Sequence, residues 1–411
     1  MKLSKKNSDL KKRCQVANEA KSFIGISYKN NVAKVTFPIS YKITDDEKKL
    51  KREILNLVKI LSLYKDDDEL NSEGKKEENF PFLAYQIVIF DYLKNGSYKE
   101  FERIYKVGKS GKINFAQTIK KIQPIISRKN IIYTDLIMLN TKYYDEKIIN
   151  EIYKFCVYES IEKIGFLYAL PQVSKSNLNI QNSPLYVKLL RQKLSKTYND
   201  DKKKLINSMI EILDFTSNTN KLKKVKFGTN AFANIYEKLV DKAFNNVDKR
   251  EYYPNSFWYL CDGKDIYKQK FNSNLRPDSI MKFNNEIFIL DSKYYRYGIG
   301  YDNLPQTADI NKQVAYAEYI LKTNITLNEI IEQKPNLLIY NAFILPHSGD
   351  KFKIFGYAER GWQNTDENYE KIIGIFIDIN CLLNNNFKQP DQNILANLIR
   401  GFFGNSLKIT H

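Results

Sequence analysis

A chain of 411 residues is longer than one ordinary core organises, so at least two domains are expected. Its 43% hydrophobic, 13% aromatic and 27% charged residues can build sizeable cores and exclude a disordered tail. The 65 Lys plus Arg against 47 Asp plus Glu leave a charge of +18, which favours a polyanionic partner with nucleic acid first, and the two histidines, His347 and His411, nearly exclude hydrolases built on several imidazoles.

An anionic membrane could use the same charge, but no apolar run approaches the roughly 18 residues of a span. The plain alternative is a lysine excess spread over solvated surface. The four cysteines, Cys14, Cys156, Cys261 and Cys381, are far apart and none pairs at zinc-knuckle spacing; they read as buried small hydrophobes. The polar start Met1-Lys2-Leu3-Ser4-Lys5-Lys6 has no apolar stretch behind it, so no secretory signal is expected and a reducing cytoplasm is the expected location.

Residues 1–20 are Lys-rich and expected to be flexible, with order beginning at the alternating strand Val32-Ala33-Lys34-Val35-Thr36-Phe37. Leu50, Ile54, Leu57, Val58 and Leu61 recur at helical spacing between residues 45 and 63. A charged loop over 65–79 precedes a helix near 82–93. Strands around Tyr105 to Val107 and Lys112 to Ile113 flank a Gly/Ser turn and read as a hairpin. A helix over 145–168 carries Ile148, Ile152, Cys156 and Ile161 on its apolar side. Helical, Lys-rich sequence from Pro184 ends at the polar run Thr216-Ser217-Asn218-Thr219-Asn220, which divides an N-terminal α+β domain over 21–220 from a second domain over 221–411.

The second domain opens with a helix over 230–245 and a strand near Phe257 to Cys261. Strands over 275–283 and 286–295 then meet at Asn284-Asn285, a hairpin signal. A helix over 309–322 and strands near 337–345, 351–358 and 372–379 complete a mixed α/β sheet flanked by helices.

Three polar groups interrupt the apolar hairpin: Asp278 on its first strand, and Asp291 and Lys293 on its second, after Ile287-Phe288-Ile289-Leu290. Side chains in a strand repeat every two residues, so Asp291 and Lys293 share a face. Two carboxylates and an ammonium can converge there. A hard cation such as Mg²⁺, or Mn²⁺, takes one or two carboxylates plus waters and substrate oxygen. Asp278 and Asp291 supply the carboxylates and the Ser292 carbonyl a further ligand; Lys293 then stabilises charge on a phosphodiester under attack. The acid-x-Lys triplets at Asp46 and Asp262 lack this setting, the first at a helix start and the second broken by Gly263. The competing reading is structural, with Asp278 and Asp291 paired to Arg276 and Lys293 at a desolvation cost without evident return.

Leu275-Arg276-Pro277-Asp278 followed by Phe288-Ile289-Leu290-Asp291-Ser292-Lys293-Tyr294-Tyr295 resembles the PD-(D/E)xK nuclease core. More narrowly the chain is similar to LlaJI-type restriction endonucleases, relatives of the McrC nuclease subunit. Further matching stretches are Phe37-Pro38-Ile39, Gly111-Lys112-Ile113-Asn114-Phe115 with Thr118, Cys156-Val157-Tyr158-Glu159-Ser160, and Leu304-Pro305-Gln306-Thr307-Ala308-Asp309-Ile310 before Lys312-Gln313. The resemblance implies a restriction-endonuclease-like fold and Mg²⁺-dependent cutting of double-stranded DNA. It also implies a separate McrB-like AAA+ subunit that hydrolyses GTP or ATP. It adds two residues: Glu237, on the helix before the hairpin, to complete the metal site, and Gln313, on the helix after it, directed at the site. For both, an exposed surface role competes. The N-terminal domain would dock the partner or contact DNA, with Tyr105 and Phe115 as contact or core residues. Gly108-Lys109-Ser110 fails as a phosphate loop because Arg103 stands where its first glycine belongs. The remaining alternative is a catalytically idle basic subunit that binds DNA or assembles a restriction complex.

Overall fold

The computed structural model describes residues 10–29, 32–64, 80–98, 100–127, 130–144, 147–168, 170–218, 224–263, 265–270, 275–295, 303–329, 337–362 and 367–404. The fold is mixed α/β, and the chain divides into two compact units, one formed by Met1–Asn79 with Lys224–His411 and the other by Phe80–Lys223. The first nine residues, the charged segment 65–79 and the Lys221–Lys223 run lie outside the described residues.

The first unit begins with strands β1 (Cys14–Val16), β2 (Ile24–Lys29) and β3 (Val32–Phe37) and helix α1 (Glu47–Leu63). Strand β1 pairs in parallel with β3, so order starts before the expected strand at Val32. Asp46 caps α1 by accepting the Lys48 and Lys49 N–H groups, and Leu50, Ile54, Leu57, Val58 and Leu61 are buried as their spacing predicts.

The second unit runs through α2 (Phe82–Asn95), β4 (Glu100–Val107), β5 (Lys112–Ile113), α3 (Phe115–Lys121), β6 (Ile125–Ser127), β7 (Asn130–Ile132), β8 (Ile137–Tyr144), α4 (Lys147–Ile164), α5 (Ser183–Ser195) and α6 (Asp200–Asn218). Helices α2, α4 and α6 pack together, with the Phe80, Tyr85 and Phe215 rings among them. Strands β4 and β5 do not pair with each other as the hairpin reading expected. Both pair with β8, whose eight-residue ladder with β4 outweighs the local turn signal at Gly108 and Ser110. On α4 the side chain of Ile148 is exposed and Ile149 is buried in its place, beside Ile152 and Cys156.

The chain re-enters the first unit at β9 (Lys224–Thr229), which pairs antiparallel with β2. This ladder joins residues about two hundred positions apart, which is why the contact-based division differs from a linear cut near 220. Gly25 and Gly228 face each other in it, at φ 140° and 154°; a Cβ on Gly25 would sit 2.1 Å from the Phe227 oxygen, so only glycine lets the strands approach.

Helix α7 (Phe232–Phe244) buries Phe232, Ile235, Tyr236, Leu239 and Val240, one helical stripe. A two-stranded ribbon, β10 (Phe257–Asp262) and β11 (Asp265–Lys270), comes next. The main sheet is formed by β12 (Ser279–Phe283), β13 (Glu286–Ser292), β14 (Leu338–His347), β15 (Phe352–Ala358) and β16 (Ile372–Asp378), with α8 (Thr307–Glu329) between β13 and β14. Its order is β12-β13-β14-β16-β15, parallel from β13 through β16 and antiparallel at both edges. Asn284 takes φ 52° in the β12–β13 turn, the left-handed conformation that asparagine tolerates. Helices α9 (Ile379–Leu383) and α10 (Gln389–Gly404) close the unit.

Of the four cysteines only Cys156 is buried; Cys261 is exposed on the ribbon, and Cys14 and Cys381 are intermediate. The expectation of four buried thiols is corrected: Cys261 sits on a strand whose side chains are largely exposed among the described residues. No helix among the described residues is long and apolar enough to cross a membrane.

Candidate active site

Strand β13 is flanked by β12 and β14 and buried from Ile287 to Ser292. Its pleat turns Ile287 and Ile289 into a cluster with Tyr316, Ala317 and Ile320 of α8, and the same period of two carries Asp291 to that face. Asp291 is therefore 3% exposed, a carboxylate at the end of a hydrophobic row.

Asp278 lies one residue ahead of β12 rather than within the strand, after a buried Pro277. Its Oδ2 accepts the Ser292 N–H at 2.7 Å, which ties the two ends of the hairpin together. Burial, reinforced by the charges of Asp291 and Glu237, pushes the Asp278 carboxyl up to about 7, against the lowering effects of the Ser292 N–H and Lys312.

Lys293 follows β13 and continues its ladder by donating its N–H to Ile344 O at 2.8 Å. Its Nζ lies 2.6 Å from Asp291 Oδ2 and 2.8 Å from Asp309 Oδ1, largely buried beside the Phe343 ring. Burial alone would depress this ammonium, but Asp291 and Asp309 outweigh it and raise its pKa, so Lys293 stays charged. Asp309 is pushed up by burial and then brought below the usual range by Lys293 and the Gln306 N–H.

Gln313 is buried on α8, not a surface residue, and its Nε2 donates to Ile289 O at 2.9 Å. Glu237 is partly buried on α7, near enough for its charge to raise Asp278. The structure thus brings Asp278, Asp291 and Lys293 together and sets Gln313 against the strand that carries them.

Sequence reasoning assigned no role to Asp309, Lys312 or Tyr316. Lys312 Nζ lies 3.9 Å from Asp291 Oδ1, and Tyr316 donates its hydroxyl to Arg276 O at 2.8 Å. With Gln313 these residues occupy positions i, i+3, i+4 and i+7 of one helix face, the signal that could have found them. Lys249 also braces the site, its Nζ 2.6 Å from Asp278 O and 3.0 Å from Asp241 Oδ1. From the N-terminal strands, Ile39 donates its N–H to the Tyr294 hydroxyl at 3.0 Å, so the Phe37-Pro38-Ile39 stretch supports the end of the hairpin.

Among the described residues no three His, Cys, Asp or Glu side chains close into a metal-holding group. Magnesium does not require three, because waters and substrate phosphate fill its octahedron. Asp278 and Asp291 fit such an ion: they are mutually repelling carboxylates, the first partly and the second fully buried, and Asp291 Oδ2 has Lys293 close by but no hydrogen bond in good geometry. Ser292 Oγ and Gln313 Oε1 are likewise buried without a hydrogen-bond partner among the described residues.

Residues 23–380 match the family model described as LlaJI restriction endonuclease. The Type II restriction enzyme BsuMI component YdjA of Bacillus subtilis (strain 168) is 24% identical over 335 residues, which cover 75% of this chain and 69% of that protein. Among solved structures, a refined half-complex from a tetradecameric assembly of Thermococcus gammatolerans McrB AAA+ hexamers with bound McrC aligns at 13% identity and a TM-score of 0.37. That alignment covers 92% of this chain and 83% of the other, too loosely to transfer residue-level geometry.

Proposed function

Because this chain belongs to the LlaJI restriction endonuclease family, we propose that it is the cutting component of a restriction enzyme, hydrolysing phosphodiester bonds of double-stranded DNA with a divalent cation. The observation that carries the reading is the meeting of Asp278, Asp291 and Lys293 at the end of a buried hairpin, with Lys293 2.6 Å from Asp291. A buried ion pair of purely structural purpose would explain Lys293 but not a second carboxylate beside it whose charge is opposed by burial.

Asp278 and Asp291 would hold the cation, with the Ser292 carbonyl as a further ligand and Glu237 adding negative charge nearby. A bound Mg²⁺ or Mn²⁺ supplies Lewis acidity, easing deprotonation of the attacking water and neutralising charge on the phosphate. Lys293, kept charged by its two carboxylates, faces the developing negative charge on the non-bridging oxygens and orients the water. Asp309 positions Lys293, and Gln313 fixes α8 against the main chain of β13. The water oxygen forms the new P–O bond as the bond to the 3′ oxygen breaks; the proton the water loses passes to solvent and the 3′ alkoxide takes one from solvent, so no histidine is needed.

The chain's Gly-Lys-Ser triplet is no phosphate loop, so any nucleotide-driven step belongs to a separate subunit, which we propose to be an McrB-like AAA+ protein. The test is plasmid cleavage by the full chain with its copurifying partner and nucleotide, in Mg²⁺ and in chelator. Cation-dependent cutting that disappears in Asp291→Asn supports the reading. Cutting that survives Asp278→Ala and Lys293→Ala alike would refute it, and cation-independent DNA association without cutting would favour the idle assembly subunit.

A further inference from the structure

The ribbon β10–β11 lies in the chain between α7 and the catalytic hairpin and carries exposed large apolar side chains. Trp258 on one face is 65% exposed, while Tyr259 and Ile266 on the other are 61% and 69% exposed. Exposed aromatics concentrated in this way mark an interaction surface rather than chance exposure.

We propose that this ribbon contacts the DNA duplex and seats it against Asp278 and Asp291; the proposal rests on reading the chain as a nuclease. Its register places Lys270 opposite Phe257 and Lys268 opposite Tyr259, so aromatic positions of one strand stand beside lysine positions of the other. The acidic positions Asp262 and Asp265 stand opposite each other at the turn, out of phase with those pairs. Lysine positions beside aromatic ones suit a duplex, which offers phosphates to the first and groove-edge thymine methyls to the second, whereas an apolar protein partner supplies no counter-charge.

The ribbon is also anchored where such contact would matter. Ahead of it, Lys249 holds Asp278 O at 2.6 Å, Tyr252 is buried with Ile280 and Tyr316, and the Arg276 guanidinium lies 6.0 Å from the Tyr253 ring centroid. The stretch from Tyr253 to Phe257 reaches at most roughly 14 Å when extended. Six-residue strands project about 20 Å, on the order of six base-pair steps, and a two-stranded ribbon is of a width the major groove admits.

The test is fluorescence anisotropy of a labelled mixed-sequence duplex with the full chain, in chelator so that nothing is cut. Phe257→Ala/Tyr259→Ala, which strips the rings from the lysine-bearing register positions, should weaken binding by about tenfold or more. Lys268→Ala/Lys270→Ala should also weaken it and flatten its salt dependence by about two units of slope. Trp362→Ala, at another exposed aromatic, should bind like wild type, and all variants should keep the wild-type unfolding midpoint. Wild-type affinity in both ribbon variants overturns the ribbon and leaves the active-site reading intact. A change of oligomeric state without a change of affinity also overturns it, assigning the ribbon to contact between copies. A wild-type chain that binds no duplex at low salt overturns the ribbon contact, while cation-dependent plasmid cleavage by the chain with its partner decides the nuclease reading separately.

Discussion

Hairpins β10–β11 and β12–β13 follow one another in the chain, are both antiparallel and close through short turns, yet their chemistry is inverted. In β12–β13 the apolar residues are buried and the polar Asp291 and Ser292 are buried with them. In β10–β11 the large apolar residues Trp258, Tyr259 and Ile266 face solvent. Each hairpin departs from the rule that apolar groups go inside and charges outside, in opposite directions. A buried charge persists against desolvation only where chemistry or pairing compensates it, and an exposed aromatic cluster persists where a partner covers it. The first hairpin is thus read as the place of reaction and the second as a place of contact.

The sharpest break between them is catalytic. Asp291→Asn, Asp278→Asn or Lys293→Ala should each lower the cleavage rate by at least about a thousandfold, since on the proposed function each would remove a cation ligand or the charge that faces the transition state. The asparagine variants keep side-chain size and avoid leaving a void, so folding read by circular dichroism should be unchanged. Rates within tenfold of wild type for all three would move the chemistry elsewhere.

Stability should divide the hairpins the other way. Ile289 is fully buried between β13 and α8, so Ile289→Ala should reduce unfolding free energy by about 2–5 kcal/mol. Trp258→Ala, despite deleting a larger group, should stay within about 0.5 kcal/mol because little surrounds it. Urea midpoints decide this, and comparable losses at the two positions would mean that the ribbon is packed rather than free for a ligand.

The two hairpins were not equally legible in sequence. Asp278, Asp291 and Lys293 stood out because a strand of Ile, Phe and Leu has no structural use for them, and the Asn-Asn turn fixed which residues face each other. Asp309 and Lys312 were hidden by context, because charged residues on a helix ordinarily read as solvated. The ribbon's second strand, Asp-Ile-Tyr-Lys-Gln-Lys, has too little apolar character to announce itself. The parallel partner of β1 and the β2–β9 ladder had no local signal at all, since pairing across such separations is decided by tertiary packing. The β4 and β5 case is the converse: a clear turn signal defeated by a longer ladder to β8.

Asp309 offers a finer probe of the catalytic hairpin because it touches Lys293 and not the carboxylate pair. Asp309→Asn removes one of the two charges holding the ammonium, and should lower kcat by about 10–100-fold with KM nearly unchanged. Asp309→Glu should restore part of the rate. An unchanged kcat in the asparagine variant would show that Asp291 alone orients Lys293.

The smallest effect expected follows from Asp278. Its folded-state pKa, pushed up to about 7, lies above the roughly 3.9 of an unfolded aspartate, so across that interval the folded protein binds more protons than the unfolded chain. The contribution to stability is therefore complete below about pH 4 and lost as pH rises through about 7 in cation-free buffer. Asp278→Asn should flatten this part of the profile, and the difference between the two proteins isolates it from every other titrating group. Mg²⁺ should raise the unfolding temperature more at pH 8, where the carboxylate pair is charged and repelling, than at pH 5, where a proton already occupies it. Trp258 lies on the other hairpin, so Trp258→Ala should leave both the pH profile and the Mg²⁺ shift as they are in wild type. An equal Mg²⁺ shift at the two pH values, or one that persists in Asp278→Asn, would place the cation outside the hairpin.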